Sequence, residues 1–233
     1  MEILNREELL LISLQLNVSD ILKWSRVNKV INKKVCKSDD IWRRLVLRDY
    51  PDFTFENAPN NTLKISPRDI YTLLFTIKVW NVNGNVNELY SVEEFTNNTT
   101  NVKIIPANLY LPKLCILNLH NNSVNYIPDN LNFPNLRELY LSYNDLKLIP
   151  MHIKFPNLKM LGLAHNSIIC VPRNLDLVYP NLERLDLYGN RIEWIPENLS
   201  MPNLKWLRFN IFDQIENLPI FRKNNPFVEI DLI

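Results

Sequence analysis

Apolar and polar residues alternate in a motif that recurs along the second half of the chain. The first copy spans residues 114–122 and has the spacing L-x-x-L-x-L-x-x-N. Three further copies follow at intervals of 22 to 24 residues, and they end at Asn144, Asn166 and Asn190. The alternation predicts a short strand whose leucines share one face. The regular interval predicts that these strands stack side by side into a parallel sheet.

The second half of each unit repeats as well. An apolar residue and a proline recur at Ile127-Pro128, Ile149-Pro150, Val171-Pro172 and Ile195-Pro196. The units then close with Phe133, Phe155, Leu177 and Met201. This pattern resembles the leucine-rich-repeat family in its form of 22 to 24 residues with an Ile-Pro turn. The resemblance implies an α/β fold, a leucine-rich-repeat solenoid with a curved parallel β-sheet.

The recurring asparagines have a structural interpretation. Each one follows a strand at a sharp turn, where its amide group can satisfy main-chain groups that would otherwise be buried without partners. The recurring prolines fix the backbone of the return turn. Both columns are therefore predicted to build the fold and not to catalyse a reaction.

Residues 1–51 contain no such repeat and are predicted to form a small all-α module of short helices, the last from Asp40 to Arg48 with Asp39 or Asp40 as its N-cap. Its apolar spacing resembles the F-box family. The matching residues are Leu4, Glu7, Leu9, Ile12, Leu16, Asp20, Ile21, Val27, Lys29, Ile41, Trp42 and Leu45. The sequence Arg48-Asp49-Tyr50-Pro51 that follows is also similar to the family, whereas Asn5 stands where the family has a proline.

An F-box followed by leucine-rich repeats implies a substrate-recognition adaptor of a ubiquitin ligase of the Skp, cullin and F-box type. The resemblance assigns docking on the Skp-type subunit to Leu4, Leu9, Ile12 and Leu16, and binding of the target protein to the repeats. The alternative is a stand-alone leucine-rich-repeat scaffold or regulator whose N-terminal helices only cover the exposed edge of the solenoid.

Three regions are expected: the F-box-like module in residues 1–51, a linker and N-terminal cap in residues 52–91, and the repeats in residues 92–233. Within the cap, Ser66 is the predicted N-cap of a helix that runs to about Thr76, with Asp69 in the position of a capping-box acid. Residues 77–82 look like a strand, and with the helix they are expected to seal the first repeat.

The residues between the leucines of each strand are predicted to point to the concave face of the sheet. There we expect the partner-binding residues to be Glu138, Tyr140, Arg184, Asp186, Tyr188, Trp206 and Arg208. Tyrosine, tryptophan and arginine dominate the energetics of protein interfaces. A purely structural reading is that Arg208 pairs with Asp186 and Asp231, while Arg184 stacks on Trp206.

Composition narrows the function classes. A net charge of +1 over 233 residues gives no general attraction to nucleic acid or membranes. A basic run from Lys23 to Lys37 alternates with apolar residues and is interpreted as a solvated helix face.

Three cysteines at unrelated spacings and the lack of a signal peptide favour a cytoplasmic, reducing compartment. No catalytic, cofactor or metal motif is found, so a monomeric, non-enzymatic protein with protein partners is expected.

Overall fold

The computed structural model describes residues 37–53, 55, 65–98, 102–151, 153, 155–210 and 217–232. The chain divides into two compact units, residues 1–75 and residues 76–233. In the first unit, helix α1 spans Asp39–Asp49. Helix α2 spans Pro67–Trp80, so the boundary between the units falls within it. The second unit contains the short helices α3 (Val86–Ser91), α4 (Leu175–Val178) and α5 (Leu218–Asn224).

A single parallel sheet runs through the second unit. Its strands are β1 (Glu94–Thr96), β2 (Ile116–Asn118), β3 (Glu138–Tyr140), β4 (Met160–Gly162), β5 (Arg184–Asp186), β6 (Trp206–Phe209) and β7 (Glu229–Leu232). Their order in the sheet is their order in the chain. Each strand pairs with the same position of the next repeat, as Glu138 does with Ile116 and Met160. This is the parallel-sheet solenoid that the repeat predicts, and it extends back to β1 and forward to β7.

The leucines of each repeat form the core of the solenoid. Leu117, Leu139, Leu161 and Leu185 occupy the middle of successive strands and are all buried. Behind them the aromatic rings of Phe133 and Phe155 stack in parallel with centroids 5.8 Å apart. Burying one such side chain stabilises the fold by roughly 1.5 to 3 kcal/mol, and therefore the stability accumulates from repeat to repeat.

One core position differs from the sequence prediction. Leu177 was expected to continue the column of Phe133 and Phe155, but it is 76% exposed. Tyr179 is buried in its place, three residues before Leu182, as Phe155 lies three residues before Leu158. The third unit, which begins at Leu158, is longer than the two before it, and helix α4 within it turns Leu177 out to solvent.

The asparagine column has the structural role that the sequence predicts. Asn166 is buried, and its amide nitrogen donates to the main-chain oxygens of Leu141 and Leu163 at 2.9 and 3.0 Å. Its side-chain oxygen accepts a hydrogen bond of 2.9 Å from the main-chain nitrogen of Leu146. Asn122, Asn144 and Asn190 make the equivalent bonds. Each asparagine thus ties its own repeat to the preceding one.

In the first unit, α1 buries Ile41, Trp42, Leu45 and Val46. The helix extends one residue beyond the predicted range at each end. Its N-cap is Ser38, not Asp39 or Asp40, because both aspartates already lie in the first turn. In the first turn their negative charges interact favourably with the positive end of the helix dipole.

Helix α2 begins as predicted, since the Ser66 hydroxyl group accepts from the main-chain nitrogen of Asp69 at 3.2 Å. The prediction of a strand over residues 77–82 is wrong, because the helix continues to Trp80. A short apolar run fits a strand as well as the end of a helix. Here the helical conformation buries the indole ring of Trp80. Its Nε1 donates to the main-chain oxygen of Ile104 at 2.9 Å, and its ring lies 5.0 Å from that of Phe95 on β1. Trp80 therefore covers the first repeat.

Helix α3 was not predicted, although the sequence carries its signal. The side chain of Asn85 accepts from the main-chain nitrogens of Asn87 and Glu88, and the Glu88 carboxylate accepts from the main-chain nitrogen of Asn85. This reciprocal arrangement is a capping box, which begins a helix. In the part of the chain that the structure describes, no helix is long and apolar enough to cross a membrane.

Candidate partner-binding face

The seven predicted partner-binding residues lie on one face of the sheet, opposite the leucine core. Because side chains alternate along a strand, the buried leucine in the middle of β3, β5 and β6 leaves its neighbours facing outward. Arg184 is exposed, and the remaining six are partly exposed: Glu138, Tyr140, Asp186, Tyr188, Trp206 and Arg208. We call this surface the concave face.

Arg208 on β6 lies at the centre of a charged cluster. Its guanidinium group is 3.6 Å from Asp186 Oδ2 on one side and 3.7 Å from Asp231 Oδ2 on the other. It also lies 4.8 Å from the ring centroid of Tyr188. The predicted pairing with both aspartates is therefore present, but the arginine over a ring is Arg208 and not Arg184. Both ion-pair distances exceed hydrogen-bond length, and the buried Arg208 Nε has no hydrogen-bond partner among the residues that the structure describes.

Asp186 experiences opposing effects within this cluster. Burial raises the pKa of its carboxyl group, because the charged form loses hydration. The hydrogen bond that its Oδ1 accepts from the main-chain nitrogen of Tyr188, at 3.1 Å, and the nearby Arg208 act in the other direction. Burial has the largest influence, so this carboxylate would gain from an additional donor supplied by a partner.

Glu138 and Tyr140 form a second polar group on β3. The Tyr140 hydroxyl group donates to Glu138 Oε2 at 2.6 Å. Burial, and then this hydrogen bond, raise the pKa of Tyr140 to about 12. The ring lies beside Gly162 on β4, where an added Cβ atom would be 3.2 Å from Tyr140 Cδ1. Gly162 thus leaves a depression in the sheet into which the tyrosine ring leans.

A column of contacting aromatic rings, which the repeat pattern does not predict, borders the concave face. The ring centroids of His120 and Tyr143 are 5.0 Å apart, those of Tyr143 and His165 are 4.2 Å apart, and those of His165 and Tyr188 are 5.1 Å apart. Arg208 over Tyr188 continues the column. Offset and edge-on ring pairs stabilise one another by about 0.5 to 1.5 kcal/mol each. The column therefore holds its members in fixed positions.

Unusual backbone geometry supports this column. Tyr143 and His165 have positive φ angles of 57° and 51°, which bulky residues rarely adopt. The equivalent positions in neighbouring repeats are Asn121 and Gly189, which also have positive φ. Asparagine and glycine favour this conformation, so their position directly before the recurring asparagine was the sequence signal for a positive φ angle. Strained residues of this kind concentrate at functional sites.

Charge on the concave face is predominantly negative. The outward strand positions contain the carboxylates of Glu138, Asp186, Glu229 and Asp231. Only the guanidinium groups of Arg184 and Arg208 oppose them. An acidic surface with aromatic residues and arginines favours a partner segment that supplies hydrogen-bond donors and positive charge.

Comparison with known proteins agrees with the geometry. Residues 135–155 and 181–201 match the family model described as Leucine Rich Repeat. These segments are leucine-rich repeats. Among solved structures, a leucine-rich-repeat protein of Leptospira interrogans is similar to the chain, with 26% identity and a TM-score of 0.53. The match covers 62% of this chain and 38% of that protein, so the chain corresponds to less than two thirds of its length. A search of curated proteins finds no match.

Leucine-rich-repeat solenoids are typically scaffolds that bind other proteins, and such scaffolds are generally without catalytic activity of their own. The concave face has the residue types for this task. Within the described ranges, no group of three histidine, cysteine or acidic side chains is placed to hold a metal ion. The residues predicted to dock on a Skp-type subunit, Leu4, Leu9, Ile12 and Leu16, lie outside the described residues.

Proposed function

We propose that this chain is a substrate-recognition adaptor of a ubiquitin ligase of the Skp, cullin and F-box type. Its N-terminal module would dock on the Skp-type subunit, and the concave face would hold the target protein. One observation carries the proposal, namely the order of an F-box-like pattern in residues 1–51 and leucine-rich repeats after it. The described end of that pattern is consistent with a helical module, because Ile41, Trp42 and Leu45 are all buried on α1.

The target-binding role rests on the concave face. Tyr140, Trp206 and Arg208 lie on two of its strands and are the residue types that most often dominate binding energy. Surface ion pairs contribute only about 0 to 1 kcal/mol, so the contacts of Arg208 with its aspartates can be exchanged for contacts with a partner. The negative charge of the face favours a target segment with lysine or arginine side chains.

Two variants separate the two roles. The first carries Leu9→Glu and Ile12→Glu, and the second carries Tyr140→Ala, Trp206→Ala and Arg208→Ala. In affinity capture from a cell extract, the first variant should lose the Skp-type subunit and keep the target. The second should lose the target and keep the Skp-type subunit. Failure of the intact chain to bind a purified Skp-type subunit, even at high micromolar concentration, would reject the adaptor function.

A second candidate function follows from a contact in the first unit. The Tyr71 hydroxyl group on α2 donates to Asp49 Oδ2 at 2.6 Å, and the rings of Tyr71 and Trp42 are 5.6 Å apart. Helix α1 thus packs on the N-terminal part of α2 within the first unit. This arrangement suits a stand-alone protein-binding scaffold in which the N-terminal helices only complete the fold.

Deletion of residues 1–51 distinguishes the two candidates. If the chain is an adaptor, the remaining chain should stay folded. Its circular dichroism spectrum should be preserved at room temperature, and it should unfold cooperatively on heating. If the chain is a stand-alone scaffold, the deletion should unfold the repeats. A truncated chain that stays folded and still captures the target would favour the adaptor.

A further inference from the structure

A groove runs along the edge of the sheet at which the strands begin. It is formed by the residues that lead into β3, β4, β5 and β6, and its volume is 750 Å³. The residues that line it precede the strands, whereas those of the concave face lie on or after them. The groove is therefore a second surface of the solenoid, separate from the proposed target site.

A column of asparagines lines the groove, each in a recurring Pro-Asn-Leu sequence. Their side-chain nitrogens donate to the main-chain oxygen of a proline in the preceding repeat, at 2.7 to 2.9 Å. The pairs are Asn135 with Pro112, Asn157 with Pro134, Asn181 with Pro156, and Asn203 with Pro180. These bonds fix the side chains before any ligand arrives, so binding does not have to order them.

The amide oxygens of the same asparagines remain able to accept hydrogen bonds. Among the described residues, none donates to the side-chain oxygen of Asn135, Asn157, Asn181 or Asn203. An amide oxygen accepts readily from a peptide N–H group. A line of such acceptors, one in each repeat, suits an extended peptide that lies along the groove.

Beside the asparagines the groove is positively charged. Arg137, Lys159 and Lys205 line it together with a single acidic residue, Glu183. Lys159 Nζ is 2.8 Å from Glu183 Oε1, and Lys205 Nζ is 2.6 Å from Glu183 Oε2. Arg137 is exposed and forms no ion pair with another described residue. One carboxylate is thus shared between two lysines, and in the described part of the chain no acidic side chain pairs with Arg137.

The two lysines can be redirected to a ligand. Their side chains are 59% and 72% exposed, so their pairs with Glu183 are screened by solvent. The lysines hold the pKa of the Glu183 carboxyl group down to about 2, which keeps it charged under all physiological conditions. A ligand with several carboxylates would offer each cation a partner of its own.

An exposed aromatic residue closes the groove at one end. Phe227 is 93% exposed and lies among the lining residues, just before β7. Its main-chain position matches that of the buried Leu204 in the preceding repeat, but its ring faces solvent. An apolar side chain on a partner would cover it and remove both surfaces from water.

We infer that this groove binds an acidic, extended peptide segment that carries an apolar residue against Phe227. Its carboxylates pair with Arg137, Lys159 and Lys205, and its main chain donates to the asparagine column. The groove is basic and the concave face is acidic, so one partner segment does not suit both surfaces. A nucleic-acid strand fits less well, because Phe227 is the only aromatic ring among the described lining residues and Glu183 would face the phosphates.

Fluorescence anisotropy of the full chain with a labelled peptide of alternating glutamate and leucine tests the inference. Arg137→Gln should weaken binding about three- to tenfold, the usual range for one charge-assisted contact. Phe227→Ser should weaken it by a similar factor. Glu183→Gln should instead tighten binding about threefold, because it releases both lysines from their shared carboxylate.

Three controls define the specificity. Arg191→Gln removes an exposed positive charge outside the groove and should leave the affinity unchanged. The variant with Tyr140→Ala, Trp206→Ala and Arg208→Ala should also bind the acidic peptide normally, so failure of the target-site proposal would not affect this one. Equal losses in Arg137→Gln and Arg191→Gln would reveal general attraction and overturn the inference. Stronger binding of a lysine–leucine peptide or of a single-stranded oligonucleotide would overturn it as well.

Discussion

The hydroxyl group of Tyr179 donates a hydrogen bond of 2.7 Å to the main-chain oxygen of Pro150 in the preceding repeat. The side chain is fully buried, and it continues the column of Phe133 and Phe155. A phenylalanine would fill the same space but would leave the Pro150 oxygen without this donor. Burial also raises the pKa of the Tyr179 hydroxyl group above its ordinary value of 10.0.

Replacement Tyr179→Phe is expected to lower the free energy of unfolding by about 1 kcal/mol at neutral pH, the usual net value of one hydrogen bond. The folded state resists ionisation of Tyr179. The contribution of its hydroxyl group to the free energy of unfolding is therefore fully present below about pH 10 and is lost as the pH rises further. The variant cannot ionise at this position. Urea unfolding at pH 7 and above pH 10 should therefore find that the difference between variant and wild type narrows in alkali.

Tyr126→Phe is the matched control, because Tyr126 is 59% exposed. It should change the free energy of unfolding by no more than about 0.5 kcal/mol at neutral pH. A difference between Tyr179→Phe and wild type that stays constant into strong alkali would contradict the assigned effect of burial.

Asn166→Ala should be among the most damaging single substitutions in the repeats. It removes donors from the Leu141 and Leu163 oxygens and an acceptor from the Leu146 nitrogen, all in the buried turn. Buried polar groups without partners cost about 1 to 3 kcal/mol each, so a loss of about 3 kcal/mol or more is expected in urea unfolding. Asn181→Ala removes only one exposed hydrogen bond, to Pro156, and should cost about 1 kcal/mol or less. Equal losses would argue against the buried turn as the source.

Gly189→Ala tests the backbone beside the ring column. The φ angle of Gly189 is 69°, and a Cβ atom there would be 2.5 Å from His165 Nδ1. We expect a loss of about 1 to 3 kcal/mol, from backbone strain and displacement of the His165 ring. Gly84→Ala is the control, since its Cβ atom would meet the movable end of the Glu88 side chain. The midpoint temperature of thermal unfolding should be clearly lower for Gly189→Ala than for Gly84→Ala. The reverse order would contradict this explanation.

The Glu183 carboxyl group provides an electrostatic test of the basic groove. Its two lysine partners lower its pKa to about 2, and NMR titration of the side-chain carboxyl carbon should find a midpoint well below the ordinary range. The ionised Glu183 carboxylate stabilises the folded state fully at pH values above the ordinary pKa of glutamate. This stabilisation is lost as the pH falls through the lowered pKa of the folded state. Lys159→Gln, or high salt, should raise the midpoint because each weakens the attraction.

Lys147→Gln removes an exposed lysine outside the groove and should leave the Glu183 midpoint unchanged. If it raised the midpoint as much as Lys159→Gln does, the shift would reflect the general charge of the protein. The paired geometry of Glu183 with Lys159 and Lys205 would then not be its cause.

The strands and the leucine core could be predicted because their spacing repeats in the sequence. Counting forward from Val171-Pro172 predicts Leu177 for the column of Phe133 and Phe155, because that count does not allow for the additional residues of the third unit. Counting back from Leu182 identifies Tyr179 instead. The strand expected over residues 77–82 failed for another reason. A short apolar run fits a strand as well as a buried helix end, and only the packing of Trp80 decides between them.

The concave face was predictable for the same reason as the strands, since alternation places Tyr140 and Arg208 outward. The ring column was not, because it joins residues from different positions of successive repeats. His120 lies two residues before the recurring asparagine of its repeat, Asn122, whereas Tyr143 lies directly before the next one, Asn144. Likewise, side-chain conformation and not strand position determines that Arg208 covers the ring of Tyr188.

Helix α4 has a practical consequence. The third unit accommodates its additional residues in the return segment, while Met160 and Arg184 still pair in register across β4 and β5. The greater length of this unit therefore leaves the register of the sheet unaltered. A reporter tag or fluorophore attached beside the exposed Leu177 would follow the protein in cells without obstructing either candidate binding surface.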